Sequence, residues 1–449
     1  MAQAAGTADA TDEAPLLLAS SAAGSTPSPP GSAPRRNRFA FVCATLASVT
    51  TMLHGYNLTL MSGAELFMRE DVGLTDGEVE VLAGSMNVFM LASILAAGWV
   101  ADHLGRRRTL VLANAFLMAG ALAMSLGTSF AALMAARFVT SVGSGFARVV
   151  APVYNAEISQ AATRGVLSSM LDIFINVGIL LSYVSNYAFA GLPVHIGWRL
   201  MYAIGVIPPV LIAAGVLVIM PESPRWLAMQ GRHADARAVL LRTSDSPADA
   251  DFRLGEIKRA ADAPSPAAAA RHGGGGVWRE LFVRPSTTTT SVRRVLGCVL
   301  GLQFFVQASG VDAILLYSPL VFKAVGVAST SAVLGATVSI GAVKTCFVLV
   351  AMLFTDRLGR RPLLLASTAG VAVTATALAV TLCVGTASPA TAAACLASVL
   401  AFVAAYSIGY GSVVSTYSAE VLPLRLRAQG SSLGVAVNRL TCGRAGWSA

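Results

Sequence analysis

Nine polar or charged residues fall inside stretches that are otherwise apolar: His54, Asn57, Arg137, Arg148, Asp172, Gln303, Gln307, Asp312 and Lys344. Each is costly in hydrocarbon unless it faces a cavity or a partner, so a site should lie among them. Carboxylates and amides offer acceptors and donors that suit a ligand built as a row of hydroxyls. Gln307 and Asp312 lie a little more than one helical turn apart, a spacing that lets both face one cavity. Asp172 has a structural alternative, an ion pair with Arg148 or Lys344. Enzyme chemistry is not expected. The chain has no H-E-x-x-H, Walker or dinucleotide motif, which also argues against an ATP-driven pump. Cys43, Cys298, Cys346, Cys383, Cys395 and Cys442 are scattered without metal-ligand spacing and read as packing residues, so no metal or cofactor is expected.

Holding such residues takes apolar helices, and the composition supplies them. Hydrophobic residues make up 55% of the 449-residue chain and charged residues 12%, with a mean hydropathy of +0.67. A soluble domain is about one quarter charged. The chain therefore reads as an all-α, multi-pass membrane protein. Stretches long enough for an ~30 Å hydrocarbon core lie near 39–61, 79–100, 109–127, 130–153, 166–190 and 199–220. Four more lie near 294–317, 330–355, 362–384 and 391–418, and an eleventh opens near Gln429. Residues 1–38, rich in Ala, Ser, Pro and Gly, read as a disordered tail with no cleavable signal peptide. A polar insert at 221–292, with a charged helical stretch over 232–260 and a flexible Gly273–Gly276 run, separates 39–220 from 293–449. The eleventh stretch is incomplete, so the second half is expected to lack its last one to two helices.

The loops between these helices repeat. G-W-V-A-D-H-L-G-R-R (98–107) returns as D-R-L-G-R-R (356–361), and the pair Glu157 and Arg164 returns at the same separation as Glu420 and Arg427. Two elements recurring in one order imply two homologous halves, the layout of a secondary transporter. Asp102 and Asp356 sit near helix ends beside Arg106, Arg107, Arg360 and Arg361, where charge-assisted networks can hold one conformation. Glu157 with Arg164, and Glu420 with Arg427, complete them. The arginine-rich loops share a side with Arg35, Arg36, Arg38 and the insert, which places that side and the N-terminus in the cytoplasm. The first loop opposite is expected to carry Glu65, Glu70, Asp71, Asp76 and Glu78. The net charge of +9 follows from this topology, and no nucleic-acid partner is expected. Asn57-Leu58-Thr59 fits a glycosylation sequon but lies inside the first span.

These motifs resemble the sugar porters of the major facilitator superfamily and, within them, the plant polyol/monosaccharide transporters. The matching stretches are G-Y-N-L-T-L-M-S-G-A (55–64), the two D-x-x-G-R-R loops, R-F-V-T-S-V-G-S-G-F-A (137–147), P-E-S-P-R-W-L (221–227), Q-A-S-G-V-D-A-I-L-L-Y-S-P (307–319) and P-L-R-L-R-A-Q-G (423–430). F-I-N-V-G-I-L-L-S-Y-V-S-N-Y-A-F (174–189) points to the polyol branch. The resemblance implies a major facilitator fold of two six-helix halves and substrate contacts from Asp172, Gln303, Gln307, Asp312 and Tyr317. It also implies a proton-coupling position at Asn57 and Arg137, and adds Glu222 and Arg225 to the gating network.

Departures from the family pattern shape the functional expectation. Asn57 stands where proton-coupled relatives carry an aspartate, Val306 replaces the first glutamine of a pair, and Arg148 replaces an apolar residue. In the tenth span, Gly411 to Ser415 lacks the family's helix-breaking proline and its tryptophan. The function expected is alternating-access transport of sugar alcohols or monosaccharides in the plasma or vacuolar membrane. Asn57 cannot titrate, which favours transport driven by the substrate gradient alone, with His54 as the alternative proton carrier. The competing reading is a non-transporting paralogue, acting as a sensor or partner subunit or arising as a truncated product.

Overall fold

In the computed structural model, the residues described are 37–160, 163–262, 287–327, 329–384, 388–421 and 433–441. The expected tail over 1–36, the Gly273–Gly276 run, Arg427 and residues 442–449 lie outside them. The described residues form α-helices, and ten spans among them are long and apolar enough to cross a membrane.

Helix α1 (Arg38–Val72) starts at Asn37, whose side chain accepts the Phe39 and Ala40 N–H groups, and it stops at Gly73 in the left-handed conformation. It runs well past the boundary expected near residue 61, which corrects the position of the first loop. Glu65, Glu70 and Asp71 belong to α1, and Glu65 is buried. Asp76 and Glu78 belong to the first turn of α2 (Asp76–Leu104), where Thr75 and Glu78 form a capping box. Acids placed there complement the positive end of the helix dipole.

Helices α3 (Arg106–Leu126), α4 (Phe130–Ile158) and α5 (Arg164–Phe189) follow. The sixth span is broken into α6 (Val194–Ile204) and α7 (Ile207–Ile219), with Pro208 and Pro209 opening the second piece, where missing N–H groups are harmless. The insert folds into α8 (Pro224–Met229), α9 (His233–Thr243) and α10 (Pro247–Asp262) around a small core that includes Trp226, Leu227, Leu240 and Leu254. It is fastened to the bundle by Asn37 Nδ2 donating to the Arg242 carbonyl (2.8 Å) and Arg253 Nη2 donating to the Ser159 carbonyl (3.1 Å).

The seventh span is again two pieces, α11 (Thr287–Ala308) and α12 (Val311–Ala324). Then come α13 (Thr330–Leu358), α14 (Arg360–Val384), α15 (Pro389–Ile408) and α16 (Tyr410–Val421), and residues 433–441 are helical. Among the helices before the insert, α1 packs on α5 and α4 on both α2 and α3; after it, α14 packs on α15. The two groups meet where α13 lies on α5 and α12 on α1.

Small residues set these approaches, because lipid chains are as apolar as leucine and helices associate by close backbone packing. A Cβ on Gly55 would come 2.1 Å from the Ile175 carbonyl oxygen, and one on Gly178 would come 2.0 Å from that of Met52. The two glycines are reciprocal: each gives way to the backbone of the other helix. Gly178→Leu is therefore expected to part α1 from α5 at a cost of about 2 kcal/mol, as overpacking does, read as earlier thermal unfolding in detergent. Leu180→Ala, close by on the same helix, is the control.

Candidate functional site

Two sites emerge, one at a bundle end and one at its middle. At the end, Gly105 separates α2 from α3 with φ 91 and ψ 161, a conformation essentially restricted to glycine. Directly after it, the carboxylate of Glu222 accepts the N–H groups of Arg106 (2.8 Å), Arg107 (3.0 Å) and Ser223 (2.9 Å). Those first donors of α3 have no acceptor inside the helix, and an anion is favoured there. A Cβ on Gly105 would sit 2.4 Å from Glu222 Oε2, so the glycine also makes room for the cap.

Arg106 then turns inward. Its guanidinium meets Glu157 of α4 through two bonds, Nε to Oε2 at 3.1 Å and Nη2 to Oε1 at 3.2 Å, with both side chains 8% exposed. Nη1 reaches the Ala101 carbonyl at 3.1 Å and Asp102 at 3.1 Å. Arg107 donates to the carbonyls of Val216 and Leu217 at the end of α7, and Trp226 Nε1 donates to the Asp102 carbonyl (2.9 Å). One cluster thus ties α2, α3, α4, α7 and the start of the insert. Arg225 is exposed and pairs with no described residue.

The second D-x-x-G-R-R loop repeats the backbone. Gly359 has φ 83 and ψ 162, matching Gly105. Among the described residues, only Pro362 Cδ comes within 4 Å of a Cβ built there. Arg360 is half-buried and Arg361 exposed. The side chains of Asp356, Arg164 and Glu420, like all of Arg427, lie outside the described ones.

In the middle of the bundle, the seventh span breaks at Gly310 (φ 80). Asp312 falls in the first turn of α12, and Gln307, at the end of α11, donates to its carboxylate through Nε2. The pair does face one place, but across a break rather than along one continuous helix. Arg148 of α4 is within electrostatic reach of Asp172, Asp312, Tyr406 and Arg439, and Lys344 of α13 is within reach of Asp312. Asn176 Nδ2 donates to the Asp172 carbonyl (2.7 Å), and Thr345 of α13 donates to the Asn176 carbonyl (3.3 Å). Gln303 is half-buried on α11 beside Gly434, and Tyr317 is half-buried on α12. Carboxylates, an amide, a phenol and cations from seven helical segments, α4, α5, α11, α12, α13, α15 and 433–441, therefore share one region.

This layout has known counterparts. A family profile described as "Sugar (and other) transporter" matches residues 43–443. Polyol transporter 5 of Arabidopsis thaliana is 48% identical over 425 residues, covering 92% of this chain and 78% of that protein. The chain belongs to the sugar porter family. Probable polyol transporter 6 of the same plant is 44% identical over 416 residues, 90% of this chain and 83% of that one. The xylose transporter XylE from E. coli, in a partially occluded inward open conformation, superposes with a TM-score of 0.77 at 23% identity, covering 92% of this chain and 91% of that one. That likeness establishes the major facilitator fold for this sugar porter.

Several residues of the porter were not legible as site residues. Arg439 lies in the segment 433–441, and its Nη1 donates to Asn87 Oδ1 of α2 at 2.9 Å, joining helices far apart in the chain. Nothing in either stretch signals the other. The tenth span breaks at Gly409 without a proline, and Ser367 Oγ of α14 fills the gap by donating to the Ala405 carbonyl (2.8 Å) and accepting the Tyr410 N–H (3.2 Å). The loss of the proline therefore does not straighten this helix. Tyr406 and Tyr410, edge to face at 6.0 Å, bring aromatic surface to the break, while the side chains of Ser412 and Ser415 lie outside the described ones. Val306 is buried in the second core.

Asn57 and Arg137 are both buried, yet their side chains do not pair. Asn57 Nδ2 turns back to the Leu53 carbonyl (2.9 Å), and Arg137 donates to the carbonyls of Asn57 and Leu82, each at 3.3 Å. His54 lies within electrostatic reach of Arg148 and Arg439 rather than Arg137.

The buried Arg106–Glu157 pair makes a sharp energetic prediction. Removing either partner leaves the other charge buried alone, so Arg106→Ala and Glu157→Ala should each cost about 3 kcal/mol. The double variant should cost no more than either single one, giving a large coupling energy in a double-mutant cycle of thermal unfolding. Additive losses would show that the two side chains act separately.

Proposed function

We propose that this sugar porter moves a linear polyol or a monosaccharide across its membrane by alternating access. The observation that carries the reading is that Arg148 lies within electrostatic reach of both Asp172 and Asp312, carboxylates from helices on either side of the insert, with Gln307 bonded to Asp312 at the break in the seventh span. A site shared by two helix groups opens to one side or the other as the groups tilt, without the substrate leaving it. Asp172, Gln303, Gln307, Asp312 and Tyr317 hold the hydroxyls of the substrate, carboxylates accepting and amides doing both. The names of the polyol transporter relatives support the polyol class, and the name of the superposed xylose transporter supports a monosaccharide of similar size.

Residues 39–220 and 293–449 act as the two moving halves, and residues 221–292 link them. Asp102, Arg106, Arg107, Glu157, Arg164 and Glu222 form the lock of the first half. Asp356, Arg360, Arg361, Glu420 and Arg427 form that of the second. The arginine excess at that end places it, and the N-terminus, in the cytoplasm, with the plasma membrane as the site of action. No proton binds at the Asn57–Arg137 position itself, since an amide does not titrate.

The test is uptake of radiolabelled sorbitol, mannitol, xylitol, inositol and glucose by a transport-deficient yeast expressing the protein at its surface. Saturable uptake of at least one is expected. Asp172→Asn should raise the half-saturation concentration about tenfold, the loss of one charge-assisted hydrogen bond. Surface-expressed protein without uptake of any of the five would leave the sensor or partner-subunit reading instead.

A further inference from the structure

Glu65 has no place in either site, and its setting is unusual. It is 1% exposed, eight residues beyond Asn57 on α1, roughly 12 Å further along the helix. Neither carboxylate oxygen accepts a hydrogen bond from a described residue. The other described acids near that end of α1 are exposed or engaged: Asp71 meets Arg199 and Trp198, and Asp76 meets Arg69 at 2.7 Å. Around Glu65 lies an apolar cluster containing Met61, Met68, Leu82, Ala136 and Leu334.

The charged and titratable groups that act on Glu65 are Arg137 of α4 and Tyr202 of α6. Tyr202 points its hydroxyl at Met61 Sδ (3.6 Å). The side chains that α2 and α13 contribute to the cluster, Val79, Leu82, Ala83 and Leu334, are uncharged, and Asn186 of α5 donates to the Leu60 carbonyl (3.3 Å). Arg137 in turn forms no ion pair among the described residues, and its two hydrogen bonds go to carbonyls of α1 and α2.

An ionised carboxylate so buried and without donors is costly, whereas a protonated one is tolerated. The arrangement seen, with Arg137 bridging the Asn57 and Leu82 carbonyls and Glu65 apart from it, is the one a protonated Glu65 favours. Loss of the proton creates a full charge beside the guanidinium and draws Arg137 away from that bridge. Proton binding and the tie between α1, α2 and α4 are thereby linked.

We propose that Glu65 is the proton-binding group of this transporter, acting through Arg137 in place of the untitratable Asn57. The proposal rests on the transport reading, and it replaces transport down the substrate gradient alone by proton-driven accumulation. Per cycle, the Glu65 carboxylate takes one proton from water on the non-cytoplasmic side and returns it to water on the cytoplasmic side. No other bond changes.

Two measurements separate the proposal from the reading it rests on. In infrared difference spectra of the purified protein across a pH step, a band of a protonated buried carboxyl should appear in the wild type and vanish in Glu65→Gln. If Glu65→Gln does not fold, Glu65→Asp should shift the band. A band unmoved in either variant overturns the proposal, whether or not the protein transports.

In proteoliposomes, with the sugar identified by uptake, the wild type should accumulate label about tenfold under an inward gradient of about one pH unit, as one proton per sugar allows. Glu65→Gln should still exchange label but accumulate none, and adding Asn57→Asp to it should restore accumulation. Exchange and accumulation both unchanged in Glu65→Gln would overturn the role of Glu65. No exchange by the wild type would overturn the transport reading instead.

Discussion

The guanidinium of Arg106 is the interaction on which the joining of α2, α3 and α4 at one end of the bundle depends. It is buried at the end of the bundle, where an unpaired charge would be intolerable, and its partners come from three separate places in the chain. Glu157 supplies the opposite charge from α4, Ala101 and Asp102 close it against α2, and Glu222 fixes the turn that delivers it. Because the pairing is bidentate it fixes orientation as well as distance. Helices on either side are thus registered at one end by polar contacts and along their length by small residues such as Gly55 and Gly178.

The sequence repeat is reproduced in backbone more faithfully than in contacts. Gly105 and Gly359 share nearly the same φ and ψ because the same turn must pass between two antiparallel helices. Among the described residues, only the first is packed against a capping carboxylate.

Helix breaks recur where the polar residues gather. The sixth, seventh and tenth spans are each split, at Gly205, Gly310 and Gly409. At the tenth the filler is the hydroxyl of Ser367, a side chain from a neighbouring helix. At the seventh the break puts Asp312 at a helix start, where the dipole favours its charge.

Composition and hydropathy by themselves determined that the chain is a helical membrane protein, because backbone groups in hydrocarbon must bond within their own segment. The repeated loops determined its two-part plan, and the motifs its family. The polar residues worth attention, Asp172, Gln307, Asp312 and Arg137 among them, were legible for the same reason: each is expensive where it stands. What the sequence withheld was pairing. Glu65 read as a loop acid because its neighbours Glu70 and Asp71 are acidic. Only the extension of α1 past them, and the packing of α2, α4 and α6 around it, buried its carboxylate near Arg137. Arg439 and Asn87 carry no mark of each other across more than three hundred residues. The break at Gly409 was hidden because its filler comes from another helix. Such contacts between distant segments are fixed by how helices pack, and packing is decided by the shape of the whole bundle.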